Sequence, residues 1–508
     1  MSTWFSRAVA AVRQPRADRI VAVAMLLLFA LARAGGFEER DPYWEARAGV
    51  ENLAGQPLLR PDTWSWSGVG GDWYQNSPLW NDILGLGWLA GGFWGLFAVT
   101  LLLIGGYLLL AFFLGLLLGG RPLPALAAVI LTVSPAISMI SPRGTLVVEV
   151  LILGAVAVAV WAAKGPLARG GTALAATAVL IASAAWSTVG NWMHLSFLMI
   201  SPAMAVVLIP VWWLAPLPRA RRVAVILASG IGWAVGPVAS PYGLVQGLQH
   251  SSEVARVCEG LILEWVSPFS ENSHPVFWLM AVVAILVAVA ITWWLVWRLR
   301  GGDRSVAMGG LLALSLIGVP AALAGLTAIR FLGVALLTLA PVAAVAATDA
   351  VGMLRRWLRE HSHPGLLART QGDYWRPLVA AAVVVLLPWA LVVGSNHAVP
   401  KELSAVEKLP AGCILFAPGG LSATAVLTRP DVKVWIDGRA DFYGRAHLIL
   451  TYRYFFLETP QLVPEQATCL MMDRKAKESD QLAAALLASP DWRVIAEDDR
   501  YVVWVPAE

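Results

Sequence analysis

About eleven stretches of roughly 20 mostly apolar residues run through this chain, each long enough for a helix to cross a bilayer. They lie near 19–36, 93–117, 123–140, 144–163, 172–189, 195–216, 222–240, 275–297, 305–328, 331–350 and 377–394. In hydrocarbon every backbone polar group must bond within its own segment, so such a chain folds as a bundle of spanning helices. Composition agrees: 58% of the 508 residues are hydrophobic and 14% are charged, where soluble domains carry about 25% charged residues. A surplus of this size needs lipid as solvent. It excludes a cytosolic enzyme, a disordered scaffold and a nucleic-acid binder, leaving membrane lipids as partners and no nucleic acid. The first span lacks a small-residue cleavage site and reads as an anchor.

Charge sets the orientation. With the N-terminus inside and strict alternation, the inside segments collect 18 Lys/Arg. The outside segments before residue 395 hold 7: Arg33, Arg40, Arg47, Arg60, Arg143, Arg256 and Arg330. The positive-inside rule then predicts a multi-pass plasma (inner) membrane protein with a cytoplasmic N-terminus and an extracytoplasmic C-terminus. Two outside loops are long, 37–78 and 241–274. The tail 395–508 is of different material, with 12 Lys/Arg, 15 Asp/Glu and strand-like runs at Cys413–Ala417, Val432–Ile436, Cys469–Met472 and Tyr501–Val505. One helical run, Gln481–Leu487, accompanies them. The expected fold is an α-helical polytopic membrane module over 1–394 and a C-terminal extracytoplasmic α/β domain over 395–508. Cys413 and Cys469 fall in strands of that domain, either as a disulfide or as two buried thiols.

The loop after the first span mixes carboxylates (Glu38, Glu39, Asp41, Glu45, Asp62) with aromatic residues (Trp44, Trp64, Trp66, Trp73, Trp80). Tyr43–Leu53 reads as a short helix with a partial apolar stripe of Trp44, Ala48 and Leu53. Carboxylates bond hydroxyls and flat rings stack on sugars, so the loop suits a carbohydrate. The same residues also make an ordinary interfacial belt kept wet by its acids.

Three patterns carry a resemblance. The loop fits D-x-x-W…G…P…D-x-x-S…W…W through Asp41, Trp44, Gly49, Pro57, Asp62, Ser65, Trp73 and Trp80. A second, N-P-Y-G…E-W-x-x-P, is met by Pro241, Tyr242, Gly243, Glu264, Trp265 and Pro268, with Ser240 in place of Asn. A third, (I/V)-D-G-R-x-D-x-Y-G, is met by Ile436, Asp437, Gly438, Arg439, Asp441, Tyr443 and Gly444. With these the chain resembles the GT-C superfamily of polytopic, lipid-linked-sugar glycosyltransferases. More closely it resembles a poorly characterised bacterial GT-C-like membrane-protein family with the C-terminal IDGRxDxYG motif. A further stretch of that family, W-A-N-x-H-G, keeps only its Trp here, at Trp186.

The resemblance implies a GT-C fold and inverting transfer of a sugar from a polyprenyl-phosphate donor to an envelope glycan, lipid or protein acceptor. It also implies an acid in the first outer loop acting as base or metal ligand, which places Asp41 first, with Glu39 or Asp62 as alternates. A divalent cation cofactor stays open. The departing phosphate calls for guanidinium, for which Arg330, Arg143 and Arg33 at the outer ends of spans are candidates. Against these stands snorkelling to headgroups, which suits Arg33 best. Trp44, Trp73, Trp80, Glu264 and Trp265 are candidate acceptor or sugar contacts. Asp437, Arg439, Asp441 and Tyr443 are either a polar-ligand site or an Asp–Arg turn that docks the tail. Glu149 inside the fourth span reads as a pair for Arg143 or as cavity lining; His194, beside Trp192, reads as structural. Two other readings remain: a non-catalytic GT-C-derived assembly partner, and a lipid or glycan transporter. The second is disfavoured because ionisable residues cluster at span ends rather than at the midplane.

Overall fold

A computed structural model describes residues 16–35, 40–169, 171–271, 273–361, 363–369, 372–396, 398–476 and 479–507. Glu38 and Glu39, the second of them an alternate base, lie outside the described residues. The chain divides into two compact units. Unit 1 is Met1–Gly36, Thr100–Leu244 and Leu263–Ser395; unit 2 is Phe37–Val99, Val245–Ile262 and Asn396–Glu508.

Unit 1 is a helical bundle. Each expected apolar stretch is helical, but among the described residues eight helices are long and apolar enough to cross a membrane, or nine if the bent pair Arg219–Val238 and Gly243–Cys258 counts as one span. The shortfall from about eleven has local causes. Helix Ala17–Ala34 carries Asp18, Arg19 and Arg33 in only 18 residues. The 195–216 stretch is two short helices, Phe197–Val207 and Ile209–Trp213, with Pro210 at the start of the second. Helix Arg219–Val238 opens on Arg219, Arg221 and Arg222. Some buried polar side chains inside the bundle find partners on other helices, which offsets the cost of burying them. Ser187 Oγ donates to Ser201 Oγ at 2.9 Å, and Thr338 Oγ1 donates to Glu149 Oε2 at 2.9 Å. Arg376 pairs with Asp18, fastening the last helix of the unit to the first.

Unit 2 is built around a five-stranded mixed sheet of order β4-β3-β5-β7-β6. Its strands are β3 (Ile414–Phe416), β4 (Lys433–Val434), β5 (Cys469–Asp473), β6 (Trp492–Glu497) and β7 (Tyr501–Pro506). Strands β4, β3 and β5 are parallel, and β7 and β6 continue antiparallel. Parallel neighbours need long crossovers; helices Gly419–Thr428 and Ala440–Phe455 supply them. Phe416, Trp435, Leu470, Met472, Leu482, Leu486, Val502 and Trp504 fill the core. Cys413 and Cys469 form a disulfide between the starts of β3 and β5.

The first loop completes this sheet. Ser65 bridges Val434 in parallel, Trp66 N–H donates to the Val434 carbonyl at 3.0 Å and Val434 N–H to the Trp64 carbonyl at 2.9 Å. Ahead of it come the expected helix, Asp41–Leu53, and a short antiparallel pair, β1 (Arg60–Pro61) with β2 (Asp72–Trp73). Trp44 and Ala48 of the expected stripe are buried, whereas Leu53 is exposed. Gly49 lies against the Asn81 carbonyl so closely that a Cβ would stand 1.8 Å from the oxygen. Helix Pro78–Leu117, which receives that contact, breaks at Gly91 and Gly92, so the expected span 93–117 is its second arm.

Candidate active site

Asp41 opens helix Asp41–Leu53, with Pro42 in the first turn. It is half-buried, and its Oδ1 accepts from the Trp44 indole N–H at 3.1 Å. Pressed onto this pair is Gly438: a Cβ there would lie 2.2 Å from Asp41 Oδ1 and 2.3 Å from Trp44 Nε1. The glycine of the C-terminal motif thus lets the backbone beyond β4 approach the carboxylate of the first loop. Such a position, past the carboxyl ends of parallel strands, is where open α/β sheets bind ligands.

Behind Gly438 the other motif residues close on themselves. Arg439 is 1% exposed. It grips Asp437 through Nε and Nη2 (2.9 and 2.7 Å) and reaches Asp62 Oδ1 through Nη1 at 2.7 Å. Tyr443 donates from its hydroxyl to Asp437 Oδ2 at 3.0 Å. The guanidinium also stands over the Trp64 ring at 4.3 Å and the Trp73 ring at 5.0 Å. Burial alone would lower the Arg439 pKa, but the Asp437 and Asp62 carboxylates hold it well above its ordinary value. Burial likewise pushes Asp62 up, and Arg439 with the Ser65 hydroxyl and N–H more than reverse it, so Asp62 sits below the usual carboxylate range. Asp62, Asp437, Arg439 and Tyr443 therefore form a filled ionic knot that docks the tail on the first loop. Asp62 spends its oxygens on Arg439, Ser65 and the Trp64 N–H.

The aromatic contacts expected for a sugar are differently employed. Trp44, Trp73 and Trp80 are buried, with Trp44 and Trp64 both packed on Trp73 at 5.8 and 5.3 Å. Trp44, Trp64 and Trp73 thus pack together in the loop's own core.

Asp441 belongs to a second polar group that sequence reasoning missed. Asn76 donates to Asp441 Oδ2 at 3.2 Å, His250 Nε2 lies 3.4 Å from the same oxygen, and the His250 ring stacks on Tyr74 at 4.9 Å. His250 rides on helix Gly243–Cys258, in a stretch that reads as loop because it is polar. No local pattern marks it.

In unit 1, Arg143 is the N-cap of helix Gly144–Lys164, and Arg330 stands in the first turn of helix Ile329–Glu360. Glu264 and Trp265 lie in a single 3-10 turn. Arg143 pairs with Glu264, and the Arg330 guanidinium stands over the Trp265 ring at 4.2 Å. His194, which ends helix Thr172–Met193, accepts the Ser196 N–H on Nδ1 at 3.1 Å, leaving the proton of its neutral ring on Nε2. Burial, then Arg330 and Arg143, push the His194 pKa down to about 3. Two guanidiniums against one carboxylate, Glu264, leave a net positive charge at two helix N-termini. Arg33 does not point to this group through its Nε, which donates to the Ile137 carbonyl at 3.0 Å. Glu149 is held by Thr338 rather than paired to Arg143.

Among the described residues, no group of three or more His, Cys, Asp and Glu side chains is placed to hold a metal ion.

No protein-family model and no curated protein matches the chain. Solved structures do. ArnT from Cupriavidus metallidurans, bound to undecaprenyl phosphate, is 16% identical over 95% of this chain and 96% of that one, with a TM-score of 0.52. The Archaeoglobus fulgidus oligosaccharyltransferase in its apo form is 11% identical over 89% of this chain and 69% of that one, with a TM-score of 0.51. The archaeal oligosaccharyltransferase AglB from the same organism, in complex with an inhibitory peptide and a dolichol-phosphate, gives the same identity and coverage with a TM-score of 0.50. At such identities the likeness is one of fold. The chain is a multi-pass membrane protein with the fold of these structures, the GT-C fold.

Proposed function

We propose that this protein is an inverting membrane glycosyltransferase that moves a sugar from a polyprenyl-phosphate donor to an envelope glycan, lipid or protein acceptor. The observation that carries this reading is that Arg143 and Arg330, each at a helix N-terminus, converge on the neighbouring Glu264 and Trp265 of one 3-10 turn. A phosphate leaving group needs such a cluster, and the two similar structures that hold polyprenyl-type phosphates lend support. A base takes the acceptor proton as the acceptor attacks the anomeric carbon, a role for which Asp41 of unit 2, oriented by the Trp44 indole, is the candidate. The new glycosidic bond forms as the carbon–oxygen bond to phosphate breaks, and the charge passes to the phosphate that Arg143 and Arg330 bind. Glu264 and Trp265 are positioning residues for those two guanidiniums.

Binding of a polyprenyl-phosphate sugar to the purified protein tests the reading. A Lys keeps charge but loses the bidentate fork and the planar stack on Trp265. Arg330→Lys should therefore bind more weakly than wild type, and Arg330→Ala about 10-fold or more weakly, the scale of one lost charge-assisted bond. Equal affinity in all three removes Arg330 from the site. No binding by wild type moves the non-catalytic assembly partner ahead.

A further inference from the structure

Helix Ile329–Glu360 carries Arg330 in its first turn and Asp349 and Arg356 far along. At 1.5 Å per residue, Asp349 is about 28 Å from Arg330 along the axis, close to the thickness of a hydrocarbon core. At that other end lies a cavity of ≈ 780 Å³ lined by Arg121, Arg298, Arg300, Arg356, Asp303 and Asp349. Four Arg against two Asp leave two positive charges in surplus.

The charges are not equally engaged. Arg298 bonds Asp303 at 2.7 Å, lies 3.7 Å from Asp349 and stands over the Trp294 ring at 5.2 Å. Trp294 in turn donates to Asp349 at 3.2 Å. Both acids are thus consumed by one guanidinium, whose buried Nη1 still lacks a hydrogen-bond acceptor. The side chains of Arg121, Arg300 and Arg356 have no carboxylate partner among the described residues. Trp297 also lines the cavity, and Trp293, one turn earlier, is 71% exposed. Exposed Trp on consecutive turns of a spanning helix marks the level of the headgroups.

We propose that this cavity binds the headgroup of an anionic membrane lipid carrying two phosphate charges, at the membrane face opposite the Arg143–Arg330 cluster. The charge matches the surplus of two, and the volume exceeds what a lone phosphate needs. The flanking Trp residues place the opening where acyl chains run, and basic pockets between spanning helices suit such headgroups. The proposal is independent of the transfer reaction and of the residues assigned to it.

Full-length protein in phosphatidylcholine nanodiscs, with or without cardiolipin as the two-phosphate probe, tests it by the lipid retained after detergent extraction. Wild type should retain cardiolipin selectively. Arg300→Gln/Arg356→Gln should retain about thirtyfold less, a factor of roughly five for each headgroup-level charge. Arg300→Lys/Arg356→Lys, which keeps the charge, controls for folding and should retain most of it. Equal retention by wild type and the Gln variant, or no preference over phosphatidylcholine, overturns the proposal. A soluble source is separated by titrating inorganic pyrophosphate into the lipid-free protein: pyrophosphate binding without lipid preference also overturns it.

Discussion

Two aspartates of one loop show what decides a residue's role. Asp41 and Asp62 are both acidic residues beside Trp in a wet-looking segment, and nothing local separates them. Asp62 is captured by Arg439, 377 residues away, together with Ser65. Asp41 accepts from the Trp44 indole and has the bare backbone of Gly438 pressed against it. Asp41→Asn keeps the size and the approach of Gly438 while removing the proposed base. Expression and unfolding midpoint should hold while transfer to acceptor falls about 10²-fold or more; unchanged transfer would take Asp41 out of the mechanism. His194 gives a second prediction. Its folded pKa of about 3 lies below the 6.5 of the unfolded chain, so the unfolded state binds the extra proton first. Stability should therefore fall as pH drops from about 6.5 toward 3, and be insensitive to this group above 6.5. Unfolding midpoints at pH 5 and pH 7.5 should differ less in His194→Gln than in wild type. Because the ring stays neutral, donor binding should show no step near pH 6.5 that His194→Gln removes.

At the scale of elements, the apolar runs Cys413–Ala417, Val432–Ile436, Cys469–Met472 and Tyr501–Val505 correspond to β3, β4, β5 and β7, and the helical run Gln481–Leu487 to helix Asp480–Ala488. A buried strand announces itself by continuous hydropathy. Strand β6 does not, because it is an edge strand with Arg493 and Glu497 exposed. Helix Ala440–Phe455 is obscured by its aromatic and β-branched residues and by Gly444, which interrupts it at φ 75°. The sequence left Cys413 and Cys469 open between bridge and thiols; the neighbouring places of β3 and β5 bring them together. The bridge closes a separation of 56 residues, a constraint on the unfolded chain of about 4 kcal/mol by loop closure. A maleimide gel shift on the unfolded full-length protein should add two labels only after reduction, with Cys258 labelled either way. Labelling of all three without reduction would remove the bridge. Such a bridge persists in an oxidising compartment, which suits the orientation expected from the arginines.

For the whole molecule, the asymmetry of 18 inside against 7 outside Lys/Arg predicts an active periplasmic-type reporter fused after Glu508 and an inactive one after Lys164. A cytoplasmic signal after Glu508 would mean that the number of spans before it is even. This matters because among the described residues eight or nine helices satisfy length and hydropathy, and the charged or proline-broken ones decide the parity. What the sequence alone determined is the solvent, the helical spans, a sheet-bearing tail and the three patterns of the GT-C resemblance. These are local properties, carried by hydropathy, charge and spacing along the chain. Tertiary structure alone decided that 37–99, 245–262 and 396–508 form one unit. It also decided that the loop's Ser65 edge joins the tail's sheet, that Arg439 rather than a ligand claims Asp62, and that Arg143 turns to Glu264 instead of Glu149. An ion pair or a sheet edge is a property of where two distant segments cross, and no window of sequence contains both.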